Sequence, residues 1–166
     1  VVNVLPAAGS EFNLSTVITI SANVTDDTWV DTVFAEISLP NLSIISLPLL
    51  DLDNNTIYEG IFTQTDEVGI YLVFIIANDT FGNINATETT IFAIVDDHPP
   101  QVTALIPAAG SSFNETATIE IAANVTDNIA VSVVFARITF PNGTQQNVTL
   151  SFAIGTKYNS SFSIPV

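Results

Sequence analysis

"NVTDDTWVDTVFAEISLPN", Asn23 to Asn41, returns 101 residues later as "NVTDNIAVSVVFARITFPN", Asn124 to Asn142. From residue 1 to 41 the two copies agree at 22 of 41 positions, sharing PAAGS, FN, NVTD, VFA and PN. Agreement at one fixed offset over that length marks an internal repeat rather than shared composition. A period near 100 in a chain of 166 residues predicts two domains of ordinary size. They are placed at 1–97 and 102–166, with a Pro-rich linker at 98–101 holding Pro99 and Pro100.

Alternating and β-branched segments recur between turn signals, and no stretch keeps a 3.6-residue period, so the chain is read as all-β. In copy one the predicted strands are Val1 to Leu5, Val17 to Val24, Val30 to Leu39, Ile44 to Leu50, Ile57 to Gln64, Ile70 to Ala77 and Thr89 to Val95. Seven strands in under 100 residues suit a two-sheet sandwich with strands A to G. Strand B sets the phase: Ile18, Ile20, Ala22 and Val24 point inward, and Thr19, Ser21, Asn23 and Thr25 outward. The second copy keeps that phase, with Ile119, Ile121, Ala123 and Val125 inward and Asn124 outward.

After one deletion Tyr58 aligns with Tyr158 and Phe62 with Phe162, and Val166 stands opposite Asp66. Copy two therefore has no counterpart of Glu67 to Asp97, which holds strands F and G. Without them the inner face of the remaining sheet and one strand edge are expected to lie open. Either the chain is part of a longer repeat protein or another subunit donates the missing strands. The first is preferred, because donation of two strands is rarer than donation of one.

Only Arg137 and Lys157 oppose 17 carboxylates, a net charge of −15, so a phosphate backbone would be repelled and nucleic acid is excluded as a partner. The longest apolar run, Ile70 to Ala77, is too short to span a bilayer. There is no cysteine, hence no disulfide, thiolate metal site or cysteine nucleophile. The chain opens at Val1 without a basic and apolar leader, which fits a removed signal or an excised piece.

Eleven of the fifteen asparagines head an Asn-X-Ser/Thr triplet: Asn13, Asn23, Asn41, Asn54, Asn78, Asn85, Asn114, Asn124, Asn142, Asn147 and Asn159. With about one residue in five Ser or Thr, chance gives about three such acceptors. Asn13 with Asn114, Asn23 with Asn124 and Asn41 with Asn142 recur at the repeat offset. The excess predicts N-linked glycans on a secreted protein. The plainer alternative is that these residues are common in turns and on wet strand faces.

The runs "YLVFIIANDTFGN", "TIFAIVDDHPPQV" and "NVTDNIAVSVVFARITFPNGT" resemble the Ig-like, cadherin- or fibronectin-type repeats of archaeal and bacterial surface proteins. Tyr71, Ala77, Asp79, Gly82 and Asn83 carry the F-strand and turn pattern. Val95, Asp97, Pro99 and Pro100 approximate the closing one. The resemblance implies tandem Ig-like β-sandwiches, the second lacking its last two strands, in stalks, spacers, adhesins, surface layers or filaments. The cysteine pair and core Trp of antibody-type domains are absent, and Trp29 stands where copy two has Ala130.

No catalytic site is expected. His98 is the single histidine and falls in the linker. The pairs Asp26 and Asp27, Asp51 and Asp53, Asp66 and Glu67, and Asp96 and Asp97 lie in loops without the aromatics that hold a sugar for hydrolysis. Solvated surface acids are the preferred reading. The alternative is Ca2+ at a domain junction, held by Asp66, Glu67, Asp96, Asp97 and Asp127, with Asn128 nearby. Cadherin-like repeats, by resemblance, are stiffened in this way.

Strand F is apolar on both faces, Tyr71, Val73, Ile75 and Ala77 on one and Ile70, Leu72, Phe74 and Ile76 on the other. An interface is therefore expected on the outer C-F-G face, formed by Phe34, Leu72, Phe74, Ile76, Phe92 and, in copy two, Phe135. A covering loop or a misplaced phase is the alternative. The expected function is a structural subunit or stalk of an extracellular, N-glycosylated filament or surface layer, read as archaeal. Its partners would be further copies of itself or neighbouring repeats, through sandwich contacts or strand complementation. An adhesin or carbohydrate-binding module is the second reading, with Trp29 and Phe81 as its only aromatic candidates.

Overall fold

The computed structural model describes residues 1–165. The chain divides into two compact units, Val1–Asp97 and His98–Val166, and the described residues contain no helix.

Unit 1 is a two-sheet sandwich. Its strands are β1 Val2–Leu5, β2 Ser10–Asn13, β3 Ile18–Asn23, β4 Val30–Ser38, β5 Ile44–Leu49, β6 Ile57–Phe62, β7 Gly69–Asp79 and β8 Ile84–Val95. One sheet runs β1-β3-β6 and the other β2-β8-β7-β4-β5. Alternation in β3 buries Ile18, Ile20, Ala22 and Val24 as expected, against Val33, Ala35 and Ile37 of β4 and Tyr71, Val73 and Ile75 of β7. Ser21, expected on the wet face, is buried, because β3 is the central strand and Leu5 of β1 and Glu59 of β6 flank it.

Four aromatic rings fill the middle of the sandwich. Tyr71 stacks on Phe92 with centroids 4.9 Å apart, and Phe62 meets both edge-on at 6.0 and 6.3 Å. Phe12 closes on Phe92 at 5.9 Å. The Tyr71 hydroxyl donates to the Glu67 carbonyl at 2.9 Å, the corner bond that ties the start of an F strand to the preceding loop.

The sequence reading missed β2, a strand of four residues that runs parallel to β8 and has no other partner. The turn feeding it is local: Ser10 N–H and Oγ both bond the Ala7 carbonyl, at 3.1 and 2.7 Å, with Gly9 at φ +83°. An A-B-E-D arrangement would pair β5 with β6. Instead β5 pairs along its whole length with β4, and only Leu50 bridges to Glu59. β8 begins at Ile84, five residues before the predicted Thr89, because the short Thr80–Asn83 turn brings it directly alongside β7.

Unit 2 has β9 Gln101–Ile106, β10 Thr118–Thr126, β11 Val134–Thr139, β12 Gln145–Ile154 and β13 Lys157–Ser163, in one sheet ordered β11-β12-β13-β10-β9. β12 pairs with β11 through Gln145–Leu150 and with β13 beyond Ser151. This second pairing comes with a longer strand, since β12 runs to Ile154 where β5 of unit 1 ends at Leu49. Most of the stretch equivalent to the Leu50–Thr56 loop is strand here, and only Gly155–Thr156, with Gly155 at φ +61°, separates β12 from β13 in a hairpin.

Ile121, Ala123 and Val125 point inward and are buried as expected, but Ile119 is only half-buried. Ile119 instead faces a cleft that it lines with Ile138, Phe140 and Phe162.

Candidate functional site

Two loops at one end of unit 1 are pinned by carboxylates. Asp26 accepts from the Thr28 N–H and hydroxyl at 2.8 and 2.6 Å. Asp79 accepts from the main-chain N–H groups of Phe81 and Asn83, both at 2.8 Å, and from the Asn83 amide at 2.6 Å. The Asn83 amide first, then these N–H groups, hold the Asp79 carboxyl below its ordinary value. Thr80 N–H donates to the Trp29 carbonyl at 3.2 Å and so joins the two loops. Trp29 and Phe81 are thereby held at the same end, 75% and 77% exposed.

The lowered Asp79 value makes a pH prediction with a definite sign. The ionised form is favoured in the folded chain, so its contribution is present above the ordinary value of 3.8 and is lost as pH falls through the lower native value. In an NMR titration the Phe81 and Asn83 amides should move together, with a midpoint below 3.8, and Asp79→Asn should abolish that step.

Three of the five carboxylates considered for calcium, Asp66, Asp97 and Asp127, have local partners. Ser15 Oγ donates to Asp66 and the Asn13 amide to Asp97, each at 2.8 Å, so both acids are tied to the turn that follows β2. Glu67 is half-buried beside them in sequence, and Asp96 is exposed. In unit 2, Asp127 accepts from the N–H groups of Ile129 and Ala130 at 2.9 and 3.0 Å and shapes its own loop. Asp51 does the same in unit 1 for the N–H groups of Asn55 and Thr56. His98 is exposed at the start of unit 2.

All eleven acceptor asparagines lie outside the core. Asn41, Asn85 and Asn142 each accept a main-chain N–H from the hydroxyl residue two places on, at 2.9, 3.0 and 2.9 Å. Asn13, Asn78 and Asn159 donate their amides to Asp97, Asp31 and Glu120. Asn23 bonds Thr56 Oγ1, and Asn147 accepts from Arg137. Asn54 and Asn114 stand exposed in loops, and Asn124 is half-buried on β10. Glu120 also pairs with Lys157 at 2.7 Å, and the Asn159 amide followed by this lysine keeps its carboxyl below the ordinary value.

On the outer face of the larger sheet, Phe34, Leu72, Phe74 and Ile76 are half-buried, with Phe34 opposite Ile76. Phe92 is not on that face and its assignment is corrected: it is 1% exposed and lies in the core. Directly paired residues share a face, and Phe92 pairs with Tyr71. The outward residue of β8 is its neighbour Ile91, opposite Leu72. Phe135 on β11 is half exposed, opposite Thr149.

The sequence reading did not single out an apolar cleft of about 1030 Å³ in unit 2. Phe113, Ile119, Ile138, Phe140, Phe162 and Ile164 line it. The signal was available in the repeat, since the first five are the copy-two equivalents of Phe12, Ile18, Ile37, Leu39 and Phe62, which pack in or against the core of unit 1.

Residues 100–166 match the family model of the bacterial Ig domain. No curated protein matches the chain. Among solved structures, the fibronectin(III)-like modules of Clostridium thermocellum CbhA align over 96% of this chain and 77% of theirs, at 19% identity and a TM-score of 0.44. A tetra-tandem repeat from the extending region of a large adhesion protein aligns over 95% of this chain, at 19% identity and a TM-score of 0.49. The chain spans 41% of that protein's length.

Proposed function

We propose that this chain is a structural segment of a secreted, N-glycosylated surface protein, serving as a subunit or stalk of an extracellular filament or surface layer. The observation that carries the reading is the placement of the acceptor asparagines. Eleven of fifteen asparagines head an acceptor triplet, three pairs recur at equivalent repeat positions, and none is buried. A chain with two cations gains little solubility from ion pairs, and sugars on its wet faces would supply hydration instead. The match to a bacterial Ig domain over unit 2 supports a modular, load-carrying role.

In this reading the half-buried patch of Phe34, Leu72, Phe74 and Ile76 is where a further repeat or subunit packs. The second reading, an adhesin, is favoured by one feature: Trp29 and Phe81 stand exposed at the same end on loops that Asp26 and Asp79 hold rigid.

The test is the intact mass of protein isolated from its native source, before and after chemical deglycosylation. Treatment should remove mass in several glycan-sized steps, each mapping to one of the eleven triplets. Unchanged mass would overturn the glycoprotein reading.

A further inference from the structure

We propose that the outer face of the larger sheet in unit 1 docks, in a second copy of this chain, the face of unit 2 that carries Phe135 and Arg137, with Glu36 of one copy paired to Arg137 of the other. The pairing rests on the reading of the Phe34 patch as an assembly contact and names what covers it.

The patch of Phe34, Leu72, Phe74 and Ile76 has a carboxylate inside it. Glu36 takes the next outward position of β4 after Phe34 and lies between Phe74 of β7 and Ser46 of β5. It is half-buried, and among the described residues no cation or hydrogen-bond donor reaches it. A partner that covers the patch takes this carboxylate out of water, which is strongly unfavourable unless the partner brings a cation.

A second copy has few cations to bring. Lysine and arginine occur once each, and Lys157 is already paired with Glu120 at 2.7 Å. Arg137 is exposed, and among the described residues its polar contact is a long one, from Nε to Asn147 Oδ1 at 3.4 Å. Its Nη groups are left for a carboxylate.

The repeat puts Arg137 in the matching place. It stands 101 residues after Glu36, as Phe135 does after Phe34, so "VFAEI" at 33–37 becomes "VFARI" at 134–138 with every other residue kept. The outer face of unit 2 thus carries the phenylalanine and charge of unit 1 with the sign reversed. Surfaces related in this way suit each other and not themselves. Unit 1 against unit 1 would set carboxylate on carboxylate, and unit 2 against unit 2 guanidinium on guanidinium. Arginine fits the place, since its weakly hydrated planar head bonds a carboxylate in bidentate fashion and lies well on a phenylalanine ring. The contact is heterologous, so a docked pair keeps one free face of each kind for further copies. Asn147 is directly opposite Arg137 on β12, and the contact therefore requires that this acceptor triplet carry no glycan.

Sedimentation of the full chain, made without glycans, over a range of concentrations tests the pair. Glu36→Arg and Arg137→Glu are each expected to weaken self-association at least about tenfold by setting like charges together. An equimolar mixture of the two variants should regain it, because each then meets the opposite charge on the other. The chain carrying both substitutions should regain it by itself. Hydrogen exchange in β3 and β10 checks that both units of every variant are folded. Variants that associate as the parent does, or a folded mixture that stays apart, would overturn the proposal and leave the patch as an assembly contact for another surface. A glycan mapped to Asn147 in assembled native material would do the same. A parent that stays monomeric would overturn the assembly reading together with the proposal. The glycoprotein reading stands or falls separately, on the mass lost in deglycosylation.

Discussion

Tyr71→Ala is expected to cost unit 1 about 3–5 kcal/mol, the range for deleting a buried aromatic ring. The side chain is wholly buried, stacks on Phe92 and meets Phe62 edge-on, so its loss opens a void between the two sheets rather than at a margin. Relaxation is limited because Val73 and Ile75 of the same strand are also fully buried and hold β7 in place. Tyr71→Phe separates the ring from its hydroxyl. It removes only the bond to the Glu67 carbonyl and should cost about 1 kcal/mol.

Denaturant unfolding followed by hydrogen exchange in β3 and β7 measures both variants. An alanine variant within about 1 kcal/mol of the parent would show that the aromatic cluster does not hold the sandwich together. Burial, followed by the nearby charges of Glu67 and Asp66, raises the Tyr71 phenol above its ordinary value of 10.0. A raised native value means full stability below pH 10.0 and progressive loss above it, since the unfolded phenol ionises first.

The second expectation is two unfolding transitions, unit 2 melting well before unit 1. Among the described residues, fifteen buried apolar side chains belong to unit 1 and five to unit 2, two of those five being alanines. A sandwich the size of unit 1 is expected to hold about 5–15 kcal/mol, while unit 2 should open for less than about 3 kcal/mol. Native-state hydrogen exchange reads this directly, by comparing the slowest amides of β10 with those of β7. Equal protection of the two strands, or one coincident transition by every probe, would show that unit 2 draws stability from something other than its own core.

Much of unit 1 was legible because strand alternation is local. The inward phase of β3, β4 and β7 follows from residue type at every second position, and the turn chemistry of PAAGS and NDTFGN marks where strands break. Phe92 was misplaced because β8 is apolar on both faces near its end, with Ile91 and Ala93 alternating with Phe92 and Ile94. Composition then carries no phase, and only the register with Tyr71 assigns the face. β2 was missed because four residues beside a glycine turn have no strand identity until β8 lies alongside.

The candidate site divides in the same way. The acceptor triplets are written in the chain, and their exposure follows from the strand phase. That Asp79 and Asp26 serve loop geometry depends on N–H groups converging on single carboxylates, which spacing does not reveal.

By itself the sequence determined an all-β chain, a repeat at 101 residues and the core phase of its central strands. Those properties depend on residue identity at fixed spacing. Only the tertiary structure decided that β5 joins β4, that Phe92 turns inward, and that Phe113 and Phe162 line one cleft. Each of these depends on which strand lies beside which, and hydrogen-bond register between distant segments is set by the packed whole, not by any window of the chain.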